Sequence, residues 1–347
     1  MCAVALRSMR TILVTENDTT LEDLMGLAMP TRAVVMQHGL LNVSAVKNPE
    51  RVEGLYVTVR SPVTKVEMEG LPNLRVISTG SAGYDHIDTK EAVRRGITVC
   101  NVARYGPAVA EFNMALILAL TRKIHCAHLQ TLQSDFTIDG LRGRNLAGKT
   151  LGIVGTGNIG LYVAKLAEAF NMSVIAMDPA PNLEADIEYV ELDEILTRSD
   201  IIAICCPLLE STHHLFGRAE FEKMKRGVLI VNTSRGAVID TQALVWALDQ
   251  GIVAGAALDV LEGEVLLPTG TLTAVLGENP TSEQTQTVAE DLTLIRHPKV
   301  IVTPHIAFYT EDSIRSIQEQ TAENFRSYFA GMPTNTVAMP VHQAQRT

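Results

Sequence analysis

Leu151-Gly152-Ile153-Val154-Gly155-Thr156-Gly157-Asn158-Ile159-Gly160 is the stretch that decides the fold. An apolar strand runs straight into glycines spaced Gly-x-Gly-x-x-Gly, and the stretch that follows, Ile159–Phe170, has helical spacing. Gly155 permits the tight turn, Gly157 lets a pyrophosphate approach the backbone, and Gly160 lets the helix close on the strand. The helix start at Asn158 and Ile159 offers unpaired N–H groups and a positive dipole end to phosphate. The next apolar run, Ser173–Asp178, ends on a carboxylate. An acid there can accept from the hydroxyls of an adenosine ribose and repels a 2′-phosphate, so the cofactor expected is NAD rather than NADP.

The pattern continues on both sides. Further strands are expected at Ile201–Cys205, Val228–Asn232, Ala254–Asp259 and Val300–Thr303, with helices such as Arg218–Met224 and Gln242–Leu248 between them. Six such strands make a doubly wound α/β nucleotide-binding unit. The 347 residues are too many for one ordinary core. A smaller α/β unit is expected from Thr11–Thr15, Gly54–Val59, Arg75–Ser78 and Thr98–Asn101. One long helix is expected from about Val109 to about Leu132, following Gly106-Pro107 and bridging the units. A C-terminal helix near Glu311–Phe329 should pack back on the first unit. The domains are then 1–106 with 309–347, and 107–308. Trp246 lies in an apolar helix and is expected in the core. Leu266–Asp291, rich in Thr, Glu, Gln and Gly without a clear period, reads as a long mobile insertion.

Composition narrows the partners. A formal net charge of -10 without a Lys/Arg run excludes an electrostatic grip on nucleic acid or anionic lipid. No apolar stretch is long enough to span a bilayer, and residues 1–20 carry no apolar signal core, which points to the cytoplasm. Cys205 and Cys206 sit side by side in a hydrophobic run and read as small buried residues, not as part of a disulfide framework. No metal site is expected: His125, Cys126 and His128 share a helix but lack further ligands, and His213-His214 reads as exposed near the cofactor edge.

Three segments lie just beyond strand ends, where ligands bind in an open α/β sheet. They are Val231-Asn232-Thr233-Ser234-Arg235-Gly236, Leu258-Asp259-Val260-Leu261-Glu262-Gly263-Glu264 and Thr303-Pro304-His305-Ile306-Ala307-Phe308-Tyr309. Hydride transfer to a 2-keto acid needs a cation to hold the carboxylate and polarise the carbonyl, and an acid to protonate the alkoxide. Arg235 suits the first task through its forked guanidinium. His305 suits the second, imidazole having an ordinary pKa of about 6.5. Glu264 is the candidate carboxylate that holds the histidine tautomer.

With these residues quoted, the chain resembles the D-isomer-specific 2-hydroxyacid dehydrogenases, and within them the D-lactate dehydrogenase branch. The motifs are Gly155–Gly160 with Asp178, Asn232-Thr-Ser-Arg235-Gly, Asp259-Val-Leu-Glu-Gly-Glu264 and Thr303-Pro-His305, joined by Gly83-Tyr84-Asp85-His86-Ile87-Asp88 and Tyr105-Gly-Pro-Ala-Val-Ala-Glu111. The resemblance runs from about Leu71 to about Ala330. It implies a Rossmann-type nucleotide domain and a smaller flavodoxin-like substrate domain with a cleft between them, joined as a homodimer. It also implies Arg235, Glu264 and His305 as the catalytic set. By the same resemblance Asn158, Ile159, Asp178, Cys206, Pro207, Thr212, Thr233, Ser234, Arg235 and Asp259 contact NAD. Ala82, Gly83, Tyr105, Arg235, His305 and Phe308 meet the substrate. Phe308-Tyr309 after the histidine resembles the lactate-like branch and implies the pyruvate/D-lactate couple. Val59-Arg60-Ser61 resembles the phosphoglycerate branch, where the arginine meets a second anionic group. Bulkier or dicarboxylic keto acids are one alternative; an NAD-sensing, corepressor-like binding protein of the same fold is another.

Overall fold

The computed structural model describes residues 10–15, 21, 25, 32–267 and 281–340. The chain forms two units, Met1–Tyr105 with Thr310–Thr347, and Gly106–Tyr309. No helix among the described residues is long and apolar enough to cross a membrane.

In Gly106–Tyr309 the described strands form one parallel sheet. Its spatial order is Val300–Val302, Val253–Leu258, Val228–Asn232, Ile201–Ile204, Thr150–Val154, Ser173–Met177 and Glu188–Tyr189. The chain enters at Thr150–Val154, builds one way, then returns to build the other way. This puts a topological switch point, where such sheets bind ligands, beside the glycine turn. The strands read as continuous apolar runs because both faces are covered. Ile202, Ile204, Val228 and Ile230 pack into one core, while Ile201, Ala203, Leu229 and Val231 pack into the other.

Four expectations are corrected here. The sheet gains a seventh strand, Glu188–Tyr189, two residues at its edge and too short to show a period. The single long helix is two, Gly106–Thr121 and Ile124–Leu132. Lys123 adopts φ 53° between them, and the Thr121 carbonyl accepts from Arg144 N at 2.8 Å instead of continuing the helix. Trp246 packs against the core but at its rim, half-buried, its outer face covered by the Arg218 guanidinium 4.3 Å away. Within Leu266–Asp291, residues from Ser282 onward form the helix Ser282–Arg296, capped by Thr281 and Gln284. Residues 268–280 of that stretch lie outside the described residues. The helix escaped notice because its inward positions are Val288, Asp291 and Leu294, so an acid occupies the middle of the apolar stripe.

The other unit carries a sheet in the order Thr336–Ala338, Thr98–Cys100, Val76–Thr79, Val52–Val57, Thr11–Thr15 and Ala33–Gln37. Apart from the antiparallel first strand, this is the flavodoxin order. Ala33–Gln37 and Thr336–Ala338 are edge strands without a buried residue. The helix Glu311–Phe329 packs on Val76–Thr79. Asn324 Nδ2 donates to Ser78 Oγ at 3.0 Å and to Asn101 O at 2.9 Å, and Phe325 is fully buried against Ile12, Tyr56 and Val76. Truncating Phe325 to alanine leaves a cavity in this core. Phe325→Ala is expected to lower stability by about 3–5 kcal/mol in urea unfolding.

Candidate active site

Three consecutive strand ends of the Gly106–Tyr309 sheet carry the site. Val228–Asn232 ends on a fully buried asparagine. Asn232 Oδ1 accepts from Ser234 N at 3.0 Å and Ser234 Oγ at 2.8 Å, while its Nδ2 donates to Arg235 O at 2.9 Å. These bonds wind the backbone into a turn that presents Arg235. Thr233 is buried and its hydroxyl accepts from Asn113 Nδ2 at 3.0 Å. Arg235 Nη1 donates to Ser234 O at 2.8 Å.

The next strand end supplies Asp259, which is 1% exposed. Its Oδ1 accepts from Thr303 Oγ1 at 2.5 Å and Ile306 N at 2.9 Å, and its Oδ2 from Ala307 N at 2.8 Å. Its backbone carbonyl accepts from His305 N at 2.8 Å. Burial raises the Asp259 carboxyl above the usual range, opposed by these bonds and by His305. The carboxylate implied by the resemblance to contact NAD is therefore engaged with the loop that follows the last strand. That loop puts His305 at φ 55°, a left-handed conformation uncommon for any residue but glycine. His305 Nδ1 lies 2.7 Å from Glu264 Oε1, with both side chains partly buried. A carboxylate can only accept, which places the hydrogen on Nδ1 and leaves Nε2 as the working atom. Phe308 stands edge-on to the His305 ring at 6.3 Å.

At the other end of the site, Gly155 turns at φ 95°, and a Cβ on Gly160 would fall 2.0 Å from Gly155 O. Gly157 caps the helix Asn158–Ala169 and faces open space, with no atom within 4 Å of where its Cβ would be. A bare helix N-terminus beside open space fits a dinucleotide pyrophosphate. Asp178 follows Ser173–Met177. Its Oδ2 accepts from Thr156 N at 2.6 Å and Thr156 Oγ1 at 3.2 Å, so it braces the glycine turn. Burial pushes the Cys206 thiol up to about 11, and the charge of Asp178 adds to the rise, so Cys206 stays a neutral thiol and is not a nucleophile. Thr212 Oγ1 donates to Pro207 O at 2.7 Å and closes the loop between them.

The remaining candidates lie on other segments of the chain. Ala82, Gly83 and Tyr105 belong to the other unit. There the Ala82 N–H donates to the Tyr105 hydroxyl at 2.6 Å and Ser81 Oγ donates to Gly83 O at 2.6 Å. A carboxylate would reach the Ala82 amide only by displacing that hydroxyl. Arg60 is exposed in the same unit. His213 and His214 stack at 4.0 Å, and His214 Nε2 meets Glu262 Oε1 at 2.7 Å. His213, His214 and Glu262 each bring one possible ligand atom within 4.8 Å of the others, and the His214–Glu262 bond joins two loops. Among the described residues Cys100, Cys126, Cys205 and Cys206 are free thiols.

Sequence reasoning gave no role to Asn113, Tyr189 or Thr303. Asn113 offered a signal, a polar residue among the buried Ala110, Met114 and Ile117 of an apolar helix. Tyr189, whose hydroxyl donates to Thr156 Oγ1 at 3.0 Å, offered none.

A profile of the D-isomer specific 2-hydroxyacid dehydrogenase NAD binding domain matches residues 114–307. D-lactate dehydrogenase kk1H of Curvularia clavata is 41% identical over 266 residues, 75% of this chain and 73% of that protein. An aromatic 2-oxoacid reductase of Clostridium sporogenes is 38% identical over 262 residues, 74% of this chain and 76% of its own. The crystal structure of D-lactate dehydrogenase from Aquifex aeolicus, complexed with NAD and lactic acid, superposes with a TM-score of 0.83 at 30% identity, covering 97% of this chain and 98% of that one. The chain belongs to the D-isomer-specific 2-hydroxyacid dehydrogenase family and is an NAD-dependent enzyme of it.

Asn232 is the organiser of the Arg235 turn. Asn232→Ala leaves buried polar atoms of that turn without partners and is expected to destabilise the protein by about 2–4 kcal/mol in guanidinium denaturation.

Proposed function

We propose that this enzyme reduces a small 2-keto acid to the D-2-hydroxy acid, with pyruvate and D-lactate as the preferred couple. The observation that carries the reading is the 2.7 Å bond between His305 Nδ1 and Glu264 Oε1 beyond a strand end of a dinucleotide-binding sheet. The nicotinamide cofactor, when bound, would supply the hydride as NADH in reduction and accept it as NAD in oxidation. Arg235 pairs with the substrate carboxylate through its fork and draws electron density from the keto oxygen. As the keto carbon gains a hydride, its oxygen becomes an alkoxide and takes the proton from His305 Nε2. Glu264 keeps the ring oriented and stabilises the imidazolium before transfer. In the reverse direction His305 removes the hydroxyl proton. Asp178 disfavours a 2′-phosphate by like-charge repulsion.

A second reading keeps the mechanism and enlarges the substrate. Phe308 and Tyr309 form an aromatic edge at 5.9 Å beside His305. The similarity to an aromatic 2-oxoacid reductase also favours it. A steady-state panel of pyruvate, phenylpyruvate and oxaloacetate decides between them, the largest kcat/KM naming the substrate class. One methylene alters the ratio by only about 10–200-fold, so the full panel is needed.

His305→Gln is expected to lower kcat by about 10²–10⁴-fold while NADH titration by fluorescence stays near wild type. Full turnover in that variant overturns the role of His305. Asp178→Ser is expected to raise kcat/KM with NADPH relative to NADH, and an unchanged ratio removes Asp178 from cofactor selection.

A further inference from the structure

Asp291 has no exposed surface and no part in the reaction as described. It projects from Ser282–Arg296, and its Oδ2 accepts from Gly263 N at 2.9 Å, one residue before Glu264. The approach is close: a Cβ on Gly263 would lie 2.8 Å from Thr287 Cγ2 and 2.9 Å from Asp291 Oδ2. Asp291 Oδ1 is buried without a hydrogen-bond partner among the described residues. The charged groups that reach Asp291 are all acidic, Glu262 and Glu264 from the loop and Glu290 from its own helix. Glu262 in turn meets His214, and Glu264 meets His305. The helix also packs on Thr241–Asp249 and Val300–Val302. Asp249, the titratable side chain those two elements carry, lies 3.7 Å from His297.

A buried carboxyl with one bonded oxygen and one orphaned oxygen is an expensive way to hold a loop. An apolar residue would fill the stripe between Val288 and Leu294 at less cost. Its placement directly behind Glu264 gives the acid a use. We propose that Asp291 is a positioning residue for the acid–base pair: its carboxyl group holds Gly263, and so Glu264, beside His305, and its ionisation sets a further negative charge behind that pair as pH rises through neutrality. The proposal rests on the reading of His305 and Glu264 given above. Burial raises the Asp291 carboxyl to about 7, with Glu262, Glu264 and Glu290 adding to the rise against the single Gly263 amide. The charge therefore appears near neutrality, where it favours the protonated imidazole and extends keto-acid reduction to higher pH.

The same titration marks stability. A folded-state value raised above the ordinary 3.8 stabilises the protein fully below about 4, and that contribution is lost as pH rises through about 7. Asp291→Asn keeps an oxygen for Gly263 and cannot ionise. Its melting temperature relative to wild type is expected to rise from pH 5 to pH 8. The alkaline limb of its kcat/KM profile should move down by roughly half a pH unit or more, the effect of removing one charge a short distance away. If Asp291→Asn does not fold, Asp291→Ser should show the same displaced limb. A limb that superposes on wild type, or a melting difference independent of pH, overturns the proposal. His305→Gln, measured alongside, separates the two readings. Retained turnover there overturns the acid–base assignment and with it the proposal. Loss of turnover there, with an Asp291→Asn profile identical to wild type, overturns the proposal alone.

Discussion

One buried carboxylate ties together the last two strand ends of the nucleotide-binding sheet. Asp259 takes a hydroxyl from Thr303 and backbone N–H groups from Ile306 and Ala307, and its own carbonyl takes the amide of His305. A chain leaving a parallel strand exposes backbone groups that water cannot reach, and each must find a partner. Here one acid serves three of them. Burial opposes its charge, and three donors compensate. The left-handed backbone at His305, worth roughly 1–3 kcal/mol of strain, persists because the bonds on both sides of it leave no alternative.

The neighbourhood is otherwise crowded with acids in a chain of net charge -10. The structure sorts them by partner. Glu264 faces His305, Glu262 faces His214 and Thr241, and Asp178 faces the amide and hydroxyl of Thr156. Asp291, with one amide, has the poorest set of partners among them, and burial raises it to about 7.

Much of the fold was legible because its signals are local. The central strands read correctly to within a residue or two, since both their faces are apolar and their ends are marked by glycine or polar residues. The helix Glu311–Phe329 matches its expected bounds. What escaped had weak local signals. Glu188–Tyr189 and Thr336–Ala338 gain strand character from the edges they pair with. The break at Lys123 depends on an amide supplied by Arg144, and the helix Ser282–Arg296 hides an acid in its buried stripe. The residue types of the site were visible, but the engagement of Ala82 N with Tyr105 and of Asp259 with the 303–307 loop was not.

By itself the sequence determined the α/β class, the glycine turn with its carboxylate at the next strand end, and the placing of Arg235, Glu264 and His305 just beyond buried strands. These follow from apolar period, glycine spacing and chain order, which are properties of neighbouring residues. Only the tertiary structure decided which polar atoms meet. Glu264 and His305 are 41 residues apart, Gly263 and Asp291 28, and Asn113 and Thr233 120. Hydrogen bonds act over about 3 Å and depend on direction, so pairs this distant in the chain are set by how strands and helices pack, and no spacing along the sequence encodes them.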